Sequence, residues 1–221
     1  MSGINSSTAL WYASRATGVV ALLLMTAVVL LGLLVVRNGK LPGLPRFAVT
    51  GLHRNLSLTA VTFVALHVVT AVFDGYVSIP LTAAVVPLAS GYERLALGLG
   101  AVSLDLSLAI IVTSLLRHRL SQRAWRAVHL LAYLNWPVAW LHSYTSATDL
   151  QSGWMFALAI VTLLAVVIAV GWRLAAAARD VPRAERVGRL MAAVHVPAVH
   201  RPAAHRSSAY QSPAYGREDP R

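Results

Sequence analysis

Apolar positions along the chain gather into long runs, and polar, basic or Pro/Gly-rich segments separate them. Residues 10–36, 52–73, 92–116, 125–145 and 153–176 each hold more than twenty mainly apolar positions. At a rise of ~1.5 Å per residue, each reaches the ~30 Å of a hydrocarbon core. Between the second and third runs, residues 74–91 contain a shorter apolar stretch broken by Pro80 and Pro87. It would reach only ~20 Å and reads as an interfacial or re-entrant loop. Residues 37–49 carry Arg37, Lys40, Pro42, Pro45 and Arg46 and read as a basic loop. The pattern predicts an all-α integral membrane protein with a five-helix transmembrane bundle over residues 1–176. A basic, mostly unstructured cytoplasmic tail, 177–221, is expected to follow, with a surface helix at 183–194 where Val187, Leu190, Met191 and Val194 recur opposite Arg183, Arg186 and Arg189.

Composition agrees: 57% of the residues are hydrophobic, 12% are charged, and mean hydropathy is +0.63. A net charge of +11 could suggest nucleic acid, but the cations lie between and after the apolar runs, so membrane topology accounts for them. Arg37, Lys40, Arg46 and Arg54 flank the first connection, and Arg117, Arg119, Arg123 and Arg126 the third. The second has Arg94 and the fourth has none. This alternation places the N-terminus outside and the C-terminus inside a multi-pass protein of the plasma membrane. The first run lacks the basic start and cleavage site of a secretory signal. Absence of cysteine excludes thiolate metal sites and iron–sulfur clusters.

The second run, LHRNLSLTAVTFVALHVVTAVF, carries His53 and His67, and the fourth carries His129 and His142. An ionisable side chain inside a bilayer is costly unless something holds it. With the predicted topology these two helices run in the same direction. The fourteen- and thirteen-residue separations then match to within ~2 Å along the membrane normal. His53 and His129 share the inner level, His67 and His142 the outer. Facing imidazoles on two helices of a bundle are what axial ligation of a haem requires, so the pattern predicts bis-histidine haem sites between helices two and four. At ~100° per residue, fourteen positions return within ~40° of the starting face, but thirteen miss it by ~140°. Helix four must therefore be irregular, and Pro137 is the expected cause.

These residues resemble a known family. The spacing H-x13-H on one helix and H-x12-H on the next but one is similar to that of the ferric-reductase-like transmembrane domain shared by ferric reductases, NADPH oxidases and the haem subunit of bacterial methionine-sulfoxide reductase. The segments LHRNLSLTAVTFVALH and WRAVHLLAYLNWPVAWLH resemble their counterparts in small actinobacterial members, and the similarity covers residues 10 to about 175. The resemblance implies two b-type haems, with His53, His67, His129 and His142 as iron ligands, passing single electrons from a cytoplasmic donor to an outer acceptor such as ferric iron. Without cysteine the haems would be held non-covalently. Many relatives have six helices where five are counted here. The reductases and oxidases also append a flavin and nicotinamide module, and residues 177–221 show no strand pattern or GxGxxG turn for one. The electron donor is thus expected to be a separate flavoprotein reductase or a membrane quinol, and the chain a membrane oxidoreductase component with no flavin or NAD(P)H site of its own.

Arg15 near the outer level, and Arg54 and Arg126 near the inner one, are candidates for the haem propionates, which as anions need cations at the membrane edge. Arg54 and Arg126 serve equally well as topology determinants alone. Phe63, Tyr133, Trp136 and Trp140 could line haems or simply pack. Asp105, midway along the third helix, is expected to hydrogen-bond a neighbouring helix. His118 reads as a loop residue, and His195, His200 and His205 as members of a solvated tail. Two other function classes compete. A metal-ion or proton transporter built on the same histidines would want central carboxylates, of which only Asp105 is available. A non-catalytic assembly subunit is the other.

Overall fold

The computed structural model of the chain describes residues 6–36, 45–74, 79–146, 151 and 153–194. They form helices α1 (Ser6–Val36), α2 (Arg46–Val72), α3 (Leu81–Val85), α4 (Arg94–Leu115), α5 (Gln122–Leu130), α6 (Ala132–Ser146) and α7 (Gly153–Val194). Four of these contain segments long and apolar enough to cross a membrane: Thr8–Leu34, Phe47–Val72, Arg94–Leu115 and Gly153–Arg179. The chain is a multi-pass membrane protein.

Two expectations from the sequence need correcting. Arg46–Val49 belongs to α2, which starts directly after Pro45. A proline at that point has its φ already set and stops the helix only on its N-terminal side. The single helix expected at 125–145 is two pieces, α5 and α6, and neither is long enough to cross alone. The break is at Leu131, six residues before Pro137, which stays inside α6. There the chain tightens: the Leu131 N–H donates to the Val128 carbonyl and the Leu134 N–H to the Leu131 carbonyl, at 3.0 Å each. Such i→i+3 turns wind at ~120° per residue, so each adds ~20° in the sense that thirteen residues at 100° fall short. Ser121 caps α5, its hydroxyl accepting from the Ala124 N–H at 3.2 Å.

The closest pairings are α1 with α2 and α4 with α6, and α1 joins the pairs through α6. The join runs through Trp136 of α6 and Thr26 of α1. Trp136 Nε1 donates to the Thr26 hydroxyl at 3.0 Å, and that hydroxyl donates to the Leu22 carbonyl at 2.7 Å. Around it Val29, Leu33, Trp136 and Val166 form the buried core. Next to Trp136, the Asn135 amide holds α6 to α4: Oδ1 accepts from Ser103 and Nδ2 donates to Ser107, both at 2.8 Å. A buried amide in an apolar bundle is tolerated because both ends are satisfied. On the α1–α2 side, small residues allow close approach, with Ala21 and Ala60 buried.

The short α3 belongs to the segment between α2 and α4, and its five residues are far from a span. The loop after it is pinned to α4. Leu88 adopts a left-handed backbone (φ 66°) and lies over Gly98, where any Cβ would come within 2.7 Å of its Cδ2. Arg94 Nε donates to the Leu88 carbonyl at 3.0 Å. By contact clustering, residues 1–175 form one unit and 176–221 a second. Residues 183–194 are helical as the end of α7; their side chains, and the whole of 195–221 with its three histidines, lie outside the described residues.

Candidate functional site

Four imidazoles meet in two pairs. The ring centres of His53 and His129 stand 6.3 Å apart, and those of His67 and His142 stand 6.1 Å apart. The planes within each pair are steeply inclined, at 73° and 67°. Like thus faces like along the chain, so α2 and the α5–α6 segment run the same way. Such inclined rings at this distance fit edge-to-face packing, and they also leave room for an atom between them. One metal atom between two ring nitrogens, ~2.0 Å from each, would place the ring centres ~6 Å apart.

The other nitrogen of three rings is accounted for. Nδ1 of His67 lies 2.8 Å from the Ser14 carbonyl oxygen, that of His142 lies 2.8 Å from the Ala96 carbonyl, and that of His53 lies 3.1 Å from the Val28 carbonyl. A carbonyl only accepts, so Nδ1 carries the proton in each case and Nε2 keeps its lone pair for a metal. This is the outer hydrogen bond that metal-binding histidines generally make. His129 differs: its Nδ1 is buried with no partner, and its ring instead stacks on Trp125 (5.0 Å, 20°), over which Arg117 lies at 4.8 Å.

Among the described residues no three His, Cys, Asp or Glu side chains converge as a metal site would need. Two imidazoles alone would leave most of a metal's coordination positions open. Beside the His67–His142 pair opens a cavity of about 710 Å³, within the range of cofactor sites. His67, His142, Gly18, Gly100, Ser103 and Arg15 are among its walls, as are Asp74, Tyr92 and Glu93 from the chain between α2 and α4.

A family model described as ferric reductase like transmembrane component matches residues 17–140. The chain belongs to that family. No curated protein and no solved structure matches it. The match covers His53, His67 and His129 and ends two residues before His142, whose place in the site rests on the geometry. Membership of a ferric-reductase-like family points to electron transfer across the membrane.

The remaining candidates divide. Arg15 lines the cavity beside His67 and His142 and lies 4.2 Å over the Trp11 ring. Arg54 and Arg126 are exposed, Arg126 beside Arg123 in a shallow surface pocket. Phe63, Tyr133, Trp136 and Trp140 are not among the cavity walls, where the aromatic residues are Trp11, Tyr12 and Tyr92. Trp136 belongs to the core, and Trp140 donates to the Ala159 carbonyl at 3.1 Å and stacks on Tyr144. Asp105 is exposed and makes no hydrogen bond or ion pair among the described residues, contrary to the expected interhelical bond. His118 is exposed in the turn after α4. Sequence reasoning missed the carbonyls of Ser14, Val28 and Ala96, because any helical carbonyl looks alike until a neighbour approaches it. It also missed Asn135, although a lone amide in an apolar run, with two serines four apart on the preceding helix, was a visible signal.

Proposed function

We propose that this ferric-reductase-like chain is a di-haem b-type conduit that carries single electrons from a cytoplasmic donor to an acceptor on the outer face. The observation that carries the proposal is the pair of imidazole–imidazole spacings, 6.3 and 6.1 Å, at two levels of one bundle. His53 with His129 would hold the inner haem, and His67 with His142 the outer. A bound haem supplies a one-electron carrier at each depth. The carbonyls of Ser14, Val28 and Ala96 would fix the tautomer of three ligands, apolar and hydroxyl side chains would surround the outer haem, and Arg15 would supply a cation for a propionate. Arg54 and Arg126, both exposed, would serve the inner propionates. Residues α5 and α6 together rise ~36 Å, enough for the jointed pair to serve as a fifth span. The donor would be a separate flavoprotein reductase or a membrane quinol. A transport role is less well supported, since Asp105 is exposed and is not among the walls of the cavity beside His67 and His142.

Single His→Ala variants test the reading. His53→Ala and His129→Ala should lose the same haem, and His67→Ala and His142→Ala the other, in reduced-minus-oxidised spectra of the purified variants. In oriented vesicles, donor added at the cytoplasmic face should reduce the remaining inner haem only in the second pair. Loss of one haem by His53→Ala and His142→Ala, and of the other by His67→Ala and His129→Ala, would overturn the pairing.

A further inference from the structure

Each of the three hydrogen-bonded imidazoles approaches its helix at one repeated feature. The accepting carbonyl belongs to residue i, and residue i+4 is glycine: Ser14 and Gly18 for His67, Val28 and Gly32 for His53, Ala96 and Gly100 for His142. The i+4 side chain starts directly beside the carbonyl of residue i, one turn on. A Cβ at Gly100 would stand 2.7 Å from Cε1 and 2.9 Å from Nδ1 of His142. One at Gly18 would stand 2.9 Å from Nδ1 of His67, and one at Gly32 would stand 3.5 Å from Cε1 of His53. Distances under 3 Å cannot be kept, and because a Cβ is fixed to the backbone it is the ring that must shift from its carbonyl. The 3.5 Å contact is ordinary. Gly18 and Gly32 are fourteen residues apart, the same step as His53 to His67 on the facing, antiparallel helix. By contrast, a Cβ at Gly51 or Gly171 would meet nothing within 4 Å.

The fourth position lacks the feature. One fourteen-residue step along α4 from Ala96 and Gly100 leads to Ile110 and Ser114. Where the other three seats have glycine, position 114 carries a side chain. His129, at that level, is the imidazole left with an unpartnered Nδ1.

We propose that Gly18, Gly32 and Gly100 are positioning residues: their missing side chains admit three imidazoles to the carbonyls that fix the Nδ1–H tautomer and aim Nε2, while His129 has no such seat. This rests on the haem reading above. Closing a seat removes an outer hydrogen bond from a metal ligand, a change that typically weakens metal binding 10–100-fold. It should act strongly at the outer pair through Gly18 or Gly100 and weakly at the inner pair through Gly32.

The test is haem loss from the purified holoprotein to excess apomyoglobin, together with the midpoint potential of each haem, for Gly18→Ala, Gly32→Ala, Gly100→Ala and the controls Gly51→Ala and Gly171→Ala. Gly18→Ala and Gly100→Ala are expected to speed release of the outer haem by about 10–100-fold and shift its potential, with the inner haem unchanged. Gly32→Ala should shift the inner haem slightly. The controls should match wild type. If wild type releases two haems and Gly18→Ala and Gly100→Ala release them at wild-type rates and potentials, the positioning role is wrong. It is equally wrong if Gly51→Ala or Gly171→Ala shows the same shifts. Should Gly100→Ala fail to fold, Gly18→Ala tests the same haem from the opposite helix. Wild type without haem would refute the di-haem reading itself.

Discussion

Asn135 ties α6 to α4 between the two histidines of the jointed helix, so its bonds should hold the rotational setting of that helix. Converting both Ser103 and Ser107 to Ala removes the partners of Oδ1 and Nδ2, each bonded at 2.8 Å, and leaves a buried amide unpaired. Interhelical hydrogen bonds in membrane bundles average ~0.6 kcal/mol, with a maximum near 1.7 kcal/mol. Two such bonds put the coupling between Asn135 and the serine pair at about 1.2 kcal/mol, roughly sevenfold in the unfolding equilibrium. The assay is a cycle of Asn135→Ala, Ser103→Ala with Ser107→Ala, and the triple variant, unfolded by SDS titration from mixed micelles and followed by circular dichroism. The separate variants also lose packing, but the cycle cancels that contribution. A coupling within error of zero, with each single perturbation destabilising, would show that the three side chains act independently and that this joint does not hold α6.

Two further predictions concern the cofactors and the topology. Ring planes inclined at 73° and 67° should give both low-spin ferric haems strongly anisotropic paramagnetic resonance signals with a large maximum g value, whereas parallel ligand planes would give ordinary rhombic spectra. Reporter fusions after residue 85 and at the C-terminus should report opposite faces, with the C-terminus cytoplasmic; two cytoplasmic reports would refute the five-span arrangement and the assignment of haem levels that depends on it.

Much of this architecture can be read from apolar periodicity, because run length and charge placement are set by the bilayer. Helix ends at 36, 72 and 115 fall within a residue of expectation for that reason. The jointed α5–α6 is legible only as a conflict: thirteen residues between His129 and His142 cannot share a face on a regular helix. The sequence pointed to Pro137 as the cause. Yet a proline inside a helix can keep its neighbours helical, and the tightening at Leu131 depends on how α5 packs, which no local signal encodes. The Nδ1 partners are hidden for a similar reason. Backbone carbonyls have no residue-specific signature, and only the fourteen-residue step from Gly18 to Gly32 echoes the step between His53 and His67. Asp105 shows the opposite failure, where a charge in mid-span suggested an internal partner and the side chain is exposed.

The central claim is tested most directly by counting haem. Purified protein, reduced with dithionite and analysed as its pyridine haemochrome against a protein determination, should contain two haems b per chain, each lost separately as the histidine pairs are removed. A ratio near one would leave a single level occupied, and a ratio near zero would contradict the account.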